Sequence, residues 1–193
     1  MTSNDKFKAI ARAYVRKLRP RARAEIAWYA DQPSLEGAIE KAALAVNSRS
    51  KRYSHQRRLK KKALNQALRV LIAQSDNIGK ARDFESLFRI VDTVIKPIPG
   101  LGPLYVYDTS LRIGAKLGLF PRRVYLHAGT RTRARALGLD YKAESLDSSV
   151  LPKEFRSLEA HEMEDILCIF KGQFKALAPI NSSAAIGRRS WCG

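Results

Sequence analysis

The sequence predicts an all-α protein in which several amphipathic helices enclose one apolar core. Apolar residues recur at the i, i+3, i+4, i+7 spacing in successive segments, a pattern typical of helices with one buried side. Prolines and polar turns separate these segments. The chain has 193 residues, of which 45% are hydrophobic, and this is enough for one compact domain. We expect this multi-helix domain over residues 1–178 and a frayed tail over residues 179–193.

Three helices are predicted before residue 50. The first runs from Asp5 to Leu18 with basic residues around its apolar stripe, and Pro20 stops it. Residues 22–30 form a second, short helix, and a third runs from Pro33 to about Asn47. We expect the first helix to dock its apolar stripe on the core. A basic amphipathic helix at the start of a chain is also typical of transit peptides and of membrane-surface helices.

A densely basic helix is predicted next. A polar connection over residues 47–55 leads to a helix from Gln56 to Ala73, with Ser54 as its N-cap. Basic residues crowd the first turns of this helix, where they oppose the helix dipole. A phosphate bound at the helix N-terminus compensates for that opposition. The predicted nucleic-acid contacts here are Arg57, Arg58 and Lys61.

The most informative segment joins two further helices. Between a helix over residues 83–95 and a helical run over residues 104–117 lies the stretch Ile-Pro-Gly-Leu-Gly, which ends at Gly102. Gly100 permits a tight turn that a Cβ would hinder, and Leu101 can insert between the two helices. Gly102 allows a phosphate to approach the N–H groups that begin the second helix.

This order of hydrophobic-Pro-Gly-hydrophobic-Gly between two helices resembles the helix-hairpin-helix motif of DNA-binding proteins. The resemblance covers residues 84–118. It implies that Gly100, Leu101 and Gly102 hold a backbone phosphate of DNA without reading its sequence, and it implies a role in DNA repair or recombination. A turn between two helices with glycines for packing alone is the other interpretation of the same residues.

Basic residues continue beyond this hairpin. Arg112 and Lys116 lie on its second helix and are predicted nucleic-acid contacts, and Gly118 fits the C-cap of that helix. A second anion site is predicted at the start of a helix that ends at Leu137, with Thr130 as its capping oxygen. The predicted contacts at this second site are His127, Gly129, Thr130, Arg131 and Arg133. A helical turn from Pro152 and a helix over residues 161–177 then complete the chain as structural support.

Charge is the strongest indicator of a partner. Thirty-six Lys and Arg against 18 Asp and Glu give a formal net charge of +18 and a pI near 10.3. Residues 1–75 carry a balance of +13, whereas residues 140–178 carry −3. A compact domain with this excess repels itself unless an anion binds, and a phosphate backbone binds with release of counterions. We therefore predict a nucleic acid, with DNA favoured by the hairpin, and neither a membrane nor a small-molecule substrate.

The spacing of cysteines and histidines predicts no metal site. Cys168 lies in an apolar helical run and Cys192 is next to last, so neither a disulfide framework nor a zinc spacing is present. His161 and Glu162 begin like a zinc-protease helix, but Asp165 takes the place of the second histidine. We expect no metal, no cofactor, a reducing cytoplasmic setting and no transmembrane segment.

The helix-hairpin-helix family includes DNA glycosylases, and their chemistry can be compared with this sequence. The resemblance would place a nucleophilic Lys just inside the second hairpin helix, where this chain has Leu104. It would also place an Asp about twenty residues beyond the hairpin, but no Asp or Glu lies between Asp108 and Asp140. We therefore assign no catalytic residue and favour a binding protein. Two alternatives stay open: an RNA-binding protein, and a DNA-processing enzyme with an atypical site of His55, Arg58, His127 and Arg131.

Overall fold

The computed structural model describes residues 2–170 and is mostly helical over that range, with one two-stranded sheet. The helical class predicted from the sequence is thereby confirmed at this coarse level. The described helices are α1 (Ser3–Lys17), α2 (Arg19–Ala30), α3 (Leu35–Ala43), α4 (Lys61–Ile72), α5 (Ser75–Gly79), α6 (Phe84–Ile95), α7 (Pro103–Leu117), α8 (Ala128–Ala136) and α9 (Ala160–Ile169). None of these helices is long and apolar enough to cross a membrane.

The chain divides into two compact units. Unit 1 comprises Met1–Tyr14 and Arg123–Gly193, and unit 2 comprises Val15–Arg122. The domain expected over residues 1–178 therefore contains all of unit 2 and part of unit 1. The predicted end of the last helix, beyond residue 170, and the predicted tail lie outside the described residues.

Unit 2 is a bundle in which α2, α3 and α6 pack against α7, and α4 packs against α3 and α6. Many of its most deeply buried side chains lie on α3, α4, α6 and α7. They are Ile39, Leu64, Leu71, Leu87, Val91, Ile95 and Ile113. A buried hydrogen bond also links α7 to the end of α3, because the Tyr105 hydroxyl donates to the carbonyl of Ala43 at 2.6 Å.

Unit 1 contains the sheet, α8 and α9, which pack on one another. Strands β1 (Arg123–Tyr125) and β2 (Ser145–Asp147) pair antiparallel, with Val124 opposite Leu146. The start of α1 belongs to this unit. Its Phe7 ring meets the Phe155 ring edge-on at 5.8 Å, which confirms that the apolar stripe of α1 docks on a core. The two strands were not predicted, because runs of three residues are too short to show an alternating pattern.

The predicted start of α4 is wrong. The helix begins at Lys61 rather than Gln56, and no side chain caps it, so Ser54 is not its N-cap. Side-chain hydrogen bonds hold the preceding residues in other conformations. The Arg52 guanidinium donates to the carbonyls of Arg57 at 3.4 Å and Leu59 at 3.1 Å, and residues 54–56 form a single 3-10 turn.

Two other predicted boundaries also differ from the structure. Helix α3 ends at Ala43 rather than Asn47, because Ala45 has φ 55° and its carbonyl accepts from the N–H of Tyr53. Helix α2 begins at Arg19, so Pro20 lies in its first turn, where a proline needs no N–H partner. The predicted C-cap of α7 is confirmed, since Gly118 has φ +71°.

Candidate functional site

A hairpin turn over residues 96–102 joins α6 to α7, and the two helices pack against each other. Ile98 and Leu101 turn inward and are 3% and 7% exposed. Two backbone hydrogen bonds stabilise the turn. The N–H of Ile98 donates to the carbonyl of Ile95 at 2.8 Å, and the N–H of Leu101 donates to the carbonyl of Ile98 at 3.3 Å. Gly100 has φ +88°, so this position requires a residue that tolerates the left-handed region. The hydrophobic and glycine positions of the hairpin thus have distinct structural roles.

The outer side of this turn is open. A Cβ built on Gly100 or on Gly102 meets nothing within 4 Å. Gly102 is the N-cap of α7, with φ −99° and ψ −178°, and its carbonyl accepts from the N–H groups of Tyr105 and Val106. The backbone of Gly102 is extended and any residue can adopt it, so its lack of a side chain serves access rather than conformation.

The segment before α4 carries exposed cations. Arg57, Arg58 and Lys61 are all exposed. This segment is fixed to α7, because the Gln56 amide donates to Asp108 Oδ2 at 2.8 Å and the His55 ring lies 2.7 Å from the same oxygen. Asp108 follows the first residue of α7 by five positions, about 7.5 Å along the helix axis. The segment that carries these cations and the hairpin turn are therefore both joined to the N-terminal half of α7.

Arg112 is not a surface cation. Its side chain is buried, its Nη1 donates to Gln56 Oε1 at 2.9 Å, and its Nη2 donates to Asp108 at 3.2 Å. The guanidinium lies 4.0 Å from the centroid of the Tyr53 ring. Burial acts to lower the pKa of Arg112, but the Asp108 carboxylate and the neighbouring tyrosines raise it on balance. This residue, predicted to contact phosphate, instead holds the cation-bearing segment against α7.

The tyrosines of this cluster stay protonated. Burial raises the pKa of Tyr29 to about 12, raises the pKa of Tyr105 to about 12 and raises that of Tyr53 further. The Tyr53 hydroxyl donates a hydrogen bond to the Glu25 carboxylate at 3.0 Å. Tyr105 is 3% exposed, so its ring packs inside unit 2 and is not a platform for stacking bases.

Lys116 is also engaged within unit 2. Its Nζ donates to the carbonyl of Ala30 at 3.1 Å and to that of Gln32 at 2.5 Å. These two carbonyls lie at the C-terminal end of α2, where a cation is stabilising. Lys116 thus caps a neighbouring helix, a role that no local sequence pattern reveals.

The start of α8 differs from the predicted anion site in its capping. The N-cap is His127, and Thr130 is the third helical residue, whose hydroxyl accepts from the His127 N–H at 2.8 Å. Arg131 donates to the carbonyls of Tyr141 and Lys142 at 2.8 and 3.0 Å. Arg133 donates to the carbonyl of Gly129 at 2.6 Å. The predicted basic contacts of this second site are thus bonded to the backbone of unit 1.

His127 lies beside two residues that the sequence did not indicate as its neighbours. It is buried and contacts Glu164 through Nε2, and Cys168 lies close to both. A carboxylate at this position disfavours a phosphate by like-charge repulsion. The four-residue spacing of Glu164 and Cys168 places them on one helix face, but their meeting with His127, which lies 37 positions before Glu164, depends on the fold.

The excess positive charge is concentrated in unit 2. This unit holds 22 of the 36 basic residues and 9 of the 18 acidic ones, a balance of +13, whereas unit 1 has a balance of +5. No protein-family model, curated protein or solved structure matches this chain. The interpretation of the site therefore depends on its own residues.

Proposed function

We propose that this protein binds DNA through its backbone phosphates, in a structure-specific or non-specific manner, and serves DNA repair or recombination. The interface comprises the hairpin turn, Gly100–Gly102, and the cationic segment, which we define as Arg57, Arg58 and Lys61. The observation that carries the proposal is the open turn at the N-terminus of α7 on the unit with a charge of +13. Helix N-termini attract anions through their N–H groups and their dipole.

The contacts within unit 2 favour this surface over the other predicted cations. The charged groups of Arg112 and Lys116 are bonded to other residues of unit 2. Arg57, Arg58 and Lys61 are exposed, and the fixed positions of His55 and Gln56 limit where the cationic segment can move. A phosphate-binding surface gains affinity when its cations are held in place before binding, because less conformational entropy is lost.

Phosphate contacts of this kind position a duplex and carry no sequence information. DNA is favoured over RNA because the turn has the helix-hairpin-helix order of residues. An RNA-binding function is the alternative outcome, and competition between B-form DNA and A-form RNA of equal length separates the two.

The experiment is a fluorescence anisotropy titration of duplex, forked and single-stranded oligonucleotides. The test variant is the triple substitution Arg57→Ala, Arg58→Ala and Lys61→Ala. The charge-matched control is Lys80→Ala, Arg82→Ala and Arg89→Ala, which removes three exposed cations elsewhere in unit 2. We expect the test variant to weaken duplex binding by at least about 10-fold more than the control. Equal losses would mean that net charge alone attracts DNA, and the proposed interface would then be wrong.

One observation favours a second candidate function, a phosphodiester-cleaving enzyme with His55 as general base. The His55 side chain is 46% exposed, and its Nε2 lies 2.7 Å from Asp108 Oδ2. A carboxylate in this position orients an imidazole and fixes its tautomer, leaving the other ring nitrogen to accept a proton. Labelled oligonucleotides with abasic sites or damaged bases test this candidate. Cleavage that His55→Ala abolishes would support it, and the lack of product on every substrate would refute it.

A further inference from the structure

A buried cluster in unit 1 joins three side chains of the kinds that ligate metal ions. His127 precedes α8, and Glu164 and Cys168 lie one turn apart on α9. One ligating atom of each residue lies within 4.8 Å of the other two. His127 is 4% exposed and Glu164 is 5% exposed. We propose that His127, Glu164 and Cys168 bind a single zinc ion, independently of any DNA-binding function.

The three ligating atoms are near enough to one another to share one metal ion, since all lie within 4.8 Å of one another. Zinc bonds of about 2.0–2.3 Å place neighbouring ligand atoms about 3.3–3.8 Å apart, so the side chains must shift to this spacing when zinc binds. His127 Nε2 and Glu164 Oε1 contact each other in this structure. A zinc ion takes the place of the proton between these two atoms, and zinc binding therefore releases protons as its ligands lose them.

Gly129 lies beside the cluster. A Cβ at this position would lie 3.3 Å from His127 Cε1 and 3.9 Å from Cys168 Sγ. The backbone φ of Gly129 is not positive, so the conformation of the chain does not require a glycine here. The lack of a side chain instead keeps the His127 ring and the Cys168 thiol uncrowded.

The donor set favours zinc over other divalent cations. One thiolate, one imidazole and one carboxylate form a mixed set of borderline-soft and hard donors, whereas magnesium and calcium prefer oxygen alone. Three protein ligands with a fourth position open are typical of zinc sites that bind a water or a substrate. Within residues 2–170 the inferred site therefore has three ligands, the number found in reactive zinc centres rather than in closed structural ones.

The test uses the full-length protein, stripped with a chelator and titrated with zinc in competition with a chromogenic chelator. We expect one equivalent of zinc to bind. With cobalt as a probe, we expect a thiolate-to-metal charge-transfer absorption band. Cys168→Ser should abolish this band, and Cys192→Ser, which replaces the other cysteine of the chain, should retain it. Glu164→Gln and His127→Asn should weaken zinc binding by at least about 100-fold, more than the loss of an outer-shell partner usually does.

Circular dichroism of each metal-free variant verifies that the fold is kept, and Glu164→Gln preserves the shape of the side chain if the others fail to fold. Three results would overturn the proposal. The first is the lack of stoichiometric zinc binding by the natural sequence. The second is a cobalt spectrum with no thiolate band, or one that depends on Cys192. The third is zinc affinity that is unchanged in a folded Glu164→Gln protein.

Discussion

Replacing Gly102 with Asp should stabilise the protein slightly and yet remove much of its affinity for DNA. A Cβ at this position meets nothing within 4 Å, and the backbone is extended, so an aspartate fits without strain. Asp is a better N-cap than Gly, by a few tenths of a kcal/mol. The thermal midpoint of Gly102→Asp should therefore equal or exceed that of the natural sequence.

The same carboxylate opposes a bound phosphate. Two like charges 4 Å apart repel by about 1 kcal/mol in water and about 4 kcal/mol at an effective dielectric constant near 20. A value of about 2 kcal/mol lowers the affinity about 30-fold, since about 1.4 kcal/mol corresponds to a factor of ten. Gly102→Ser is the matched control, because it caps the helix without adding a charge. Anisotropy titrations at low salt measure both variants.

DNA affinities of Gly102→Asp and Gly102→Ser that both equal the affinity of the natural sequence would refute the placement of a phosphate at the hairpin turn. Weak binding by both variants, with unchanged thermal midpoints, would indicate that bulk rather than charge blocks the approach, and it would leave the phosphate at the turn.

Three further outcomes test the structure of unit 2. Arg112→Met should lower the free energy of unfolding by about 3 kcal/mol in a urea titration, because it leaves the Asp108 carboxylate without its buried guanidinium partner. Gly114→Ala should lower it by about 2 kcal/mol, because the new Cβ would lie 2.4 Å from the carbonyl oxygen of Leu119 and the backbone must shift. Burial raises the pKa of Glu25, but hydrogen bonds from a serine and a tyrosine outweigh this effect and lower the pKa below its ordinary 4.5. The stabilisation by Glu25 is thus complete above about pH 4.5 and is lost as the pH falls through the folded-state pKa, so Glu25→Gln should unfold with a weaker dependence on acid.

Periodicity predicted most helices because each has one apolar face against a core. The bounds of α6 and α7 follow from local chemistry: Asp83 caps α6 and accepts from the Ser86 N–H at 2.7 Å, and Pro103 begins α7. The start of α4 was wrong because long-range contacts decide it. Gln56 bonds to a residue 52 positions away, and no helical pattern contains that information.

The sequence also did not show which of the predicted cations are exposed. Composition predicted an excess of charge and its N-terminal bias, but it does not distinguish an exposed arginine from a buried one. Arg112 is buried because Asp108 lies one turn before it on α7. Asp108 is the only acidic residue between Asp92 and Asp140, and this isolation is a sequence signal of a structural carboxylate. The meeting of His127 with Cys168 has no such signal, because it depends on how α8 and α9 pack.

The salt dependence of DNA binding by the natural protein tests most directly whether this surface binds DNA phosphates. The cationic segment neutralises about three phosphates and the uncharged hairpin turn adds none, which corresponds to a slope of about −2.7 in a plot of log K against log salt concentration for a duplex. We expect a slope near this value, and the Arg57→Ala, Arg58→Ala, Lys61→Ala variant should reduce its magnitude by about 2.7, or about 0.9 for each lost contact. A slope near zero for the natural protein, or a slope that this variant leaves unchanged, would contradict the proposal that the protein binds DNA phosphates at this surface.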